Sequence, residues 1–194
     1  MTTLKKFILA VVAAVILAPA AYAQNYDQLL RRFVDGQQLT PSEFAEVYYG
    51  APAQKGFSAT RDFSAAMQAY NVGDTKKAYR LVSDGLKQDP TNLLLLFKAY
   101  ALATSSTDMD VKQLAPKYQT RLLGICDAIF NSGKGVMDSS PYRYTHVTDL
   151  DEFIVKYLQP TTIVGRSKIG QVEAIKMRLD GMNEDVILYF QLVK

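Results

Sequence analysis

Gly73-Asp74-Thr75-Lys76-Lys77-Ala78-Tyr79-Arg80-Leu81-Val82-Ser83-Asp84-Gly85-Leu86-Lys87-Gln88-Asp89-Pro90-Thr91-Asn92 is the stretch that decides how this chain folds. Gly73 turns the chain, Asp74 supplies an N-cap, and Asp89-Pro90-Thr91-Asn92 turns it again after one helix. Ala78, Val82, Gly85 and Pro90 fall at the spacing of the second helix and exit turn of a tetratricopeptide repeat. The small residues let helices approach closely, and the proline stops one helix and opens the next. A single repeat needs other helices to cover its faces.

Those helices are legible on both sides. Upstream, Phe63, Ala66, Met67 and Tyr70 share one face of a helix over 59–71, and Ala51 to Ser58 reads as a loop. Thr40-Pro41-Ser42-Glu43 combines an N-cap, a first-turn proline and a capping-box glutamate; the helix it opens turns Phe44, Val47 and Tyr48 inward and ends at Gly50. Tyr26, Leu29, Leu30 and Phe33 mark a shorter helix before it. Downstream, Leu93 to Ala103 is apolar on nearly all sides, which predicts a central helix. A polar loop, Thr104 to Asp110, leads to a helix from about Leu114 to Asn131, with Tyr118, Leu122, Ile125, Cys126 and Ile129 on its buried stripe.

After Pro141 the period changes. Tyr142 to Val147 is strand-like, and Thr148 to Glu152 opens a helix carrying Leu150, Phe153, Ile154, Tyr157 and Leu158. Three further strands are expected over 161–168, 171–179 and 186–193. The last is apolar on both faces, the pattern of a central strand covered on both sides. The expectation is an α+β protein: tetratricopeptide-like helical hairpins over 24–140, packed on a small, mainly antiparallel C-terminal sheet with one helix over 141–194.

Lys5 and Lys6, an apolar run from Phe7 to Ala18, and Ala21-Tyr22-Ala23 form the three parts of a secretory signal peptide cleaved after Ala23. The run is too short for a membrane span. Export to the periplasm or beyond is expected, as a mature chain of 171 residues. Losing Lys5 and Lys6 lowers the formal charge from +3 to +1, which leaves no electrostatic footprint for nucleic acid or an anionic membrane. Cys126 is the only cysteine, so packing alone must stabilise the fold.

Several short stretches together resemble an exported Bacteroidota family, domain of unknown function 4919. They are Leu39-Thr40-Pro41 leading to Tyr48-Tyr49-Gly50, the repeat-like segment ending at Pro90, Ser132-Gly133-Lys134-Gly135, His146-Val147 to Asp151-Glu152-Phe153, and Tyr189-Phe190. Where the family more often has Ser-Gly-Asp-Gly, this chain carries Lys134. The resemblance implies an architecture and no established activity.

The candidate chemistry is sparse. Ser132-Gly133-Lys134-Gly135 lacks the outer glycine and the Ser or Thr of a P-loop, and reads as a left-handed glycine cap. His146 is the only histidine, so any histidine chemistry must use it; beside it stand Asp149, Asp151 and Glu152, suited either to acid–base work or to a helix first turn. No nucleophile elbow accompanies them, and the ordinary reading of His146 is a partly exposed residue at a helix start. The loop Asp180 to Asp185 and the pair Asp108 and Asp110 lack the spacing of a calcium site, so no metal or cofactor is expected. Tyr48-Tyr49 and Tyr142 with Tyr144 would offer stacking faces to a sugar or peptide if exposed, and would fill a core if not. Cys126 reads as a small apolar filler unless the fold brings His146 beside it.

These observations favour an exported, non-catalytic module for a protein or peptide partner. The alternatives are a small hydrolase using His146 with Asp149, Asp151 or Glu152, which requires those side chains to converge on one concave site, and a carrier of a glycan or lipid-like ligand, which requires an apolar cavity beside exposed tyrosines.

Overall fold

The computed structural model describes residues 25–193, so the signal-peptide segment 1–23 lies outside the described residues. The protein is α+β. A first helix, α1, covers 25–34. It is followed by α2 (Pro41–Gly50), α3 (Ser64–Asn71), α4 (Thr75–Gln88), α5 (Leu93–Ser105), the single turn α6 (Met109–Lys112) and α7 (Ala115–Phe130). The C-terminal part holds β1 (Tyr142–Tyr144), α8 (Val147–Glu152) running on as a π-helical turn (Phe153–Leu158), β2 (Thr162–Ile169), β3 (Val172–Arg178) and β4 (Val186–Leu192).

Local chemistry sets the helix ends. Thr40 and Glu43 form the capping box of α2, with the Glu43 amide donating to Thr40 Oγ1 at 3.3 Å and the Thr40 amide to the Glu43 carboxylate at 2.7 Å. Asp74 caps α4 by accepting from the Lys77 amide at 3.1 Å. Asn92 caps α5 through the Leu95 amide, also at 3.1 Å. Helix α3 starts at Ser64 rather than Ala59, because the Ala59 carbonyl accepts from the Val147 amide at 2.9 Å and is withdrawn from the helix. Within the expected 104–110 loop, Asp108 accepts from the Asp110 amide and opens α6.

The glycine cap after α7 is also displaced. Asn131 ends the helix at φ −88°, and the left-handed glycine is Gly135, at φ +70°. There the amides of Lys134 and Gly135 both donate to the Ser140 carbonyl, and a Cβ on Gly135 would stand 2.2 Å from the Tyr142 ring. The glycine is needed by the loop that launches β1, not by the helix terminus.

Strand order is β1-β4-β3-β2, with β1 parallel to β4 and the other pairs antiparallel. β4 is interior by hydrogen bonding, but only one of its faces is covered. Leu188 and Phe190 are buried while Ile187 is 46% exposed, because the helices pack on one side of the sheet. β2 is an exposed edge with a register break between Ile163 and Gly165. One hydrophobic core joins the two parts, running from Leu93, Leu96 and Ile125 to Tyr142, Phe153, Ile175 and Phe190. Among the described residues no helix is long and apolar enough to cross a membrane.

Candidate functional site

The turn between α4 and α5 meets the start of α8 inside the molecule, and the meeting point is polar. His146, in extended backbone at the N-cap of α8, is 1% exposed, not a surface residue. Its Nε2 lies 2.9 Å from Asp89 Oδ1, and its Nδ1 lies 3.1 Å from Asp149 Oδ2 and 2.9 Å from Thr145 Oγ1. Asp149 is fully buried and fully engaged: Oδ2 also accepts from the Tyr48 hydroxyl at 2.6 Å, and Oδ1 accepts from the Leu93 amide at 2.9 Å. The Tyr48 hydroxyl in turn accepts from the Thr145 amide at 3.0 Å. The Phe57 ring covers the imidazole, with centroids 4.8 Å apart.

The electrostatics follow from this packing. Burial pulls the His146 pKa down, but hydrogen bonds and charge attraction from Asp149 and Asp89 outweigh it and raise the pKa to about 9. At neutral pH the ring is therefore an imidazolium donating both N–H groups to carboxylates, and it has no lone pair free to take a proton. Burial, then the neighbouring Asp149, pushes the Tyr48 hydroxyl pKa well up, so it stays a donor. Asp89 and Asp149 sit on opposite nitrogens of the ring, so the three groups cannot converge on one ion. Among the described residues no cluster of three or more His, Cys, Asp or Glu side chains is arranged to hold a metal.

The other acidic candidates point elsewhere. Asp151 is exposed and pairs with Arg166 at 2.6 Å. Glu152 pairs with Lys98 at 3.7 Å, and burial raises its pKa against the opposing pull of that lysine. Of the hydrolase constellation, then, the fold joins His146 to Asp149 and sends Asp151 and Glu152 to different neighbours. The hydroxyls on the cluster, Thr145 and Tyr48, are buried with it. Cys126 is fully buried, its thiol pushed up in pKa first by burial, and it is not a hydrogen-bond partner of His146.

The tyrosines are drawn inward too. Tyr48, Tyr142 and Tyr144 are buried, and Tyr144 donates to Glu173 at 2.9 Å. Tyr49 is half-buried and donates to the carbonyls of Ala128 and Arg143. Tyr142 stacks on Phe130 with centroids 5.5 Å apart.

A cavity of about 200 Å³ adjoins the His146 cluster at Phe57 and Asp89, and larger open spaces lie on another side of the helical part. A cavity of about 450 Å³ is bounded by α4, α7 and the end of α1, with Ser83, Lys117, Tyr118 and Arg121 in its wall. A second, of about 580 Å³, is bounded by α4, the end of α5 and α6, with Leu102, Asp108 and Val111. Tyr79 lines both, so together they form one groove along α4. None of the four candidate tyrosines lines it. Arg121, its most buried charge, escaped the sequence reading because it lies within the stripe of α7 next to Leu122, and only its environment sets it apart. Asp89 escaped as an ordinary turn residue; the fold alone reveals its link to His146, 57 positions away.

No curated protein and no solved structure matches the chain. A family model does match, over residues 19–194. The chain belongs to the family described as domain of unknown function DUF4919.

Proposed function

We propose that this protein is an exported, non-catalytic binding module that holds an extended peptide segment of a partner protein in the groove along α4. The observation that carries the reading is the pair of cavities meeting at Tyr79, a half-buried ring with the cations Lys117 and Arg121 on one side and the hydroxyls of Thr75, Ser105, Ser106 and Thr107 on the other. Such a ring supplies apolar area with a polar tip at low entropic cost, a common anchor at interfaces. The buried His146 cluster supports the non-catalytic part of the reading, since its polar groups are spent on tying α2, the α4–α5 turn and α8 together. Export rests on the arrangement of Lys5, Lys6, the apolar run and Ala21-Tyr22-Ala23.

A photo-crosslinking residue placed at Tyr79, with a control at Ser167 on the exposed β2 edge, tests this in the producing cells. A discrete protein adduct from position 79 and none from position 167 is expected in the exported fraction, on a chain beginning at Gln24. Adducts from position 167 alone overturn the groove assignment, and a chain that retains Met1 overturns export.

A further inference from the structure

We propose that the peptide segment is acidic and that one of its carboxylates seats on Arg121 at the α7 end of the groove; this rests on the groove reading above. Arg121 is 3% exposed. Its guanidinium lies over the Phe33 ring at 4.9 Å and near the Tyr118 ring at 5.9 Å. Nη2 donates to the Pro90 carbonyl at 2.8 Å, and Nε is buried with no acceptor. Among the described residues no carboxylate forms an ion pair with it. A guanidinium carries five donors in a planar fork, and a buried one is ordinarily matched by a carboxylate or phosphate. Here aromatic faces and one carbonyl take that place. Burial lowers its pKa to about 10, opposed by Tyr118, so the charge persists at neutral pH.

The surroundings give the site a sign and a direction. Lys117, one turn earlier on α7, lines the same cavity and forms no ion pair among the described residues. Its stem is held against Gly36, at φ +73°, where an added Cβ would stand 2.7 Å from Lys117 Cγ. Lys87 on the rim is already shared with Asp84 at 2.8 Å. The hydroxyls of Ser83 and Tyr118 add neutral polar groups. Beyond Tyr79 the lining balances Lys76 against Asp108, and the hydroxyl residues Thr75, Ser105, Ser106 and Thr107 stand beside Leu102 and Val111. Positive charge is thus concentrated at one end, and the groove continues past it over a wall of balanced charge, rich in hydroxyls. A carboxylate on an extended peptide, whose backbone amides and carbonyls can meet those hydroxyls, fits both features; a small free anion would use only the first.

The test uses the protein purified in its processed form and two labelled peptides, Glu-Glu-Leu-Ala-Leu and Gln-Gln-Leu-Ala-Leu, with inorganic phosphate as competitor. The glutamate peptide is expected to bind about tenfold tighter or more at low salt, to shift the Arg121 Nε–H resonance, and to lose most of that preference at high salt. Arg121→Gln should remove the preference. Lys117→Gln, at a partly exposed position, should reduce it without touching the core, which keeps the proposal testable if the Arg121 variant folds poorly. Equal binding of the two peptides overturns the acidic partner and leaves the groove standing. Binding of neither peptide, with no crosslink at position 79, overturns the groove and the proposal together. Phosphate displacing the glutamate peptide at equal concentration assigns the site to a small anion and overturns the peptide.

Discussion

His146 and Arg121 are almost equally buried, at 1% and 3% exposure, yet one is gripped by two carboxylates and the other faces two rings and a carbonyl. Removing a cation from water costs several kcal/mol, and the cost is offset only where opposite charge and hydrogen bonds meet it. Around His146 the chain itself supplies those partners, Asp149 from the same helix start and Asp89 from the α4–α5 turn, so its polar groups act on the fold. Around Arg121 the partner set is incomplete, and the residue stands in the wall of a groove. The contrast separates a charge matched within the molecule from one that, among the described residues, no carboxylate matches.

Breaking the brace should have the largest effect. Asp149→Ala removes a charge from His146 and strands the Tyr48 hydroxyl and the Leu93 amide, an expected loss on the order of 3–5 kcal/mol by denaturant unfolding. A loss below about 1 kcal/mol would mean that water enters and replaces the carboxylate, and the brace would not be what separates the two sites.

The pH dependence sharpens the same point. His146 has a folded pKa of about 9, above an ordinary value of 6.5. Its contribution is therefore fully present below pH 6.5 and is lost as pH rises through 9. The stability gap between the natural protein and His146→Gln should narrow between pH 6.5 and 9.5, measured by unfolding at each pH. A constant gap would show that the ring is held neutral.

Tyr48→Phe tests the outer layer of the brace, since it deletes one donor to Asp149 and one acceptor for the Thr145 amide. About 1–3 kcal/mol should be lost, with the native circular dichroism retained.

The smallest effect is expected at the other cation. Arg121→Met removes an unpaired buried charge along with its ring contacts and one hydrogen bond, so stability should stay within about 1 kcal/mol of the natural protein. A loss comparable to that of Asp149→Ala would place Arg121 in the structural class and collapse the comparison.

The limits of each helix were legible where local groups decide them. Asp74, Asn92 and the Thr40–Glu43 box announce helix starts because a cap needs only residues three or four apart. The start of α3 was read too early because its boundary depends on Val147, 88 positions downstream. His146 and Asp149 were legible as a pair by their spacing, but that spacing equally fits an exposed first turn. Their burial comes from the α4–α5 turn arriving with Asp89, which no local pattern encodes. The apolar pattern of β4 likewise told its place inside the sheet, but it implied cover on both faces where the helices cover only one.

By itself, then, the chain's periodicity and capping chemistry determined an α+β protein of helical hairpins followed by a four-stranded sheet, and its lone histidine and lone cysteine restricted the available chemistry. The tertiary structure alone decided that the histidine is neutralised from both sides, that Tyr48, Tyr142 and Tyr144 fill the interior, and that the buried Arg121 has no carboxylate beside it among the described residues. The reason is range: a cap or an amphipathic stripe is a relation between neighbours along the chain, whereas the partner of a buried charge is chosen by whichever distant segment packs beside it.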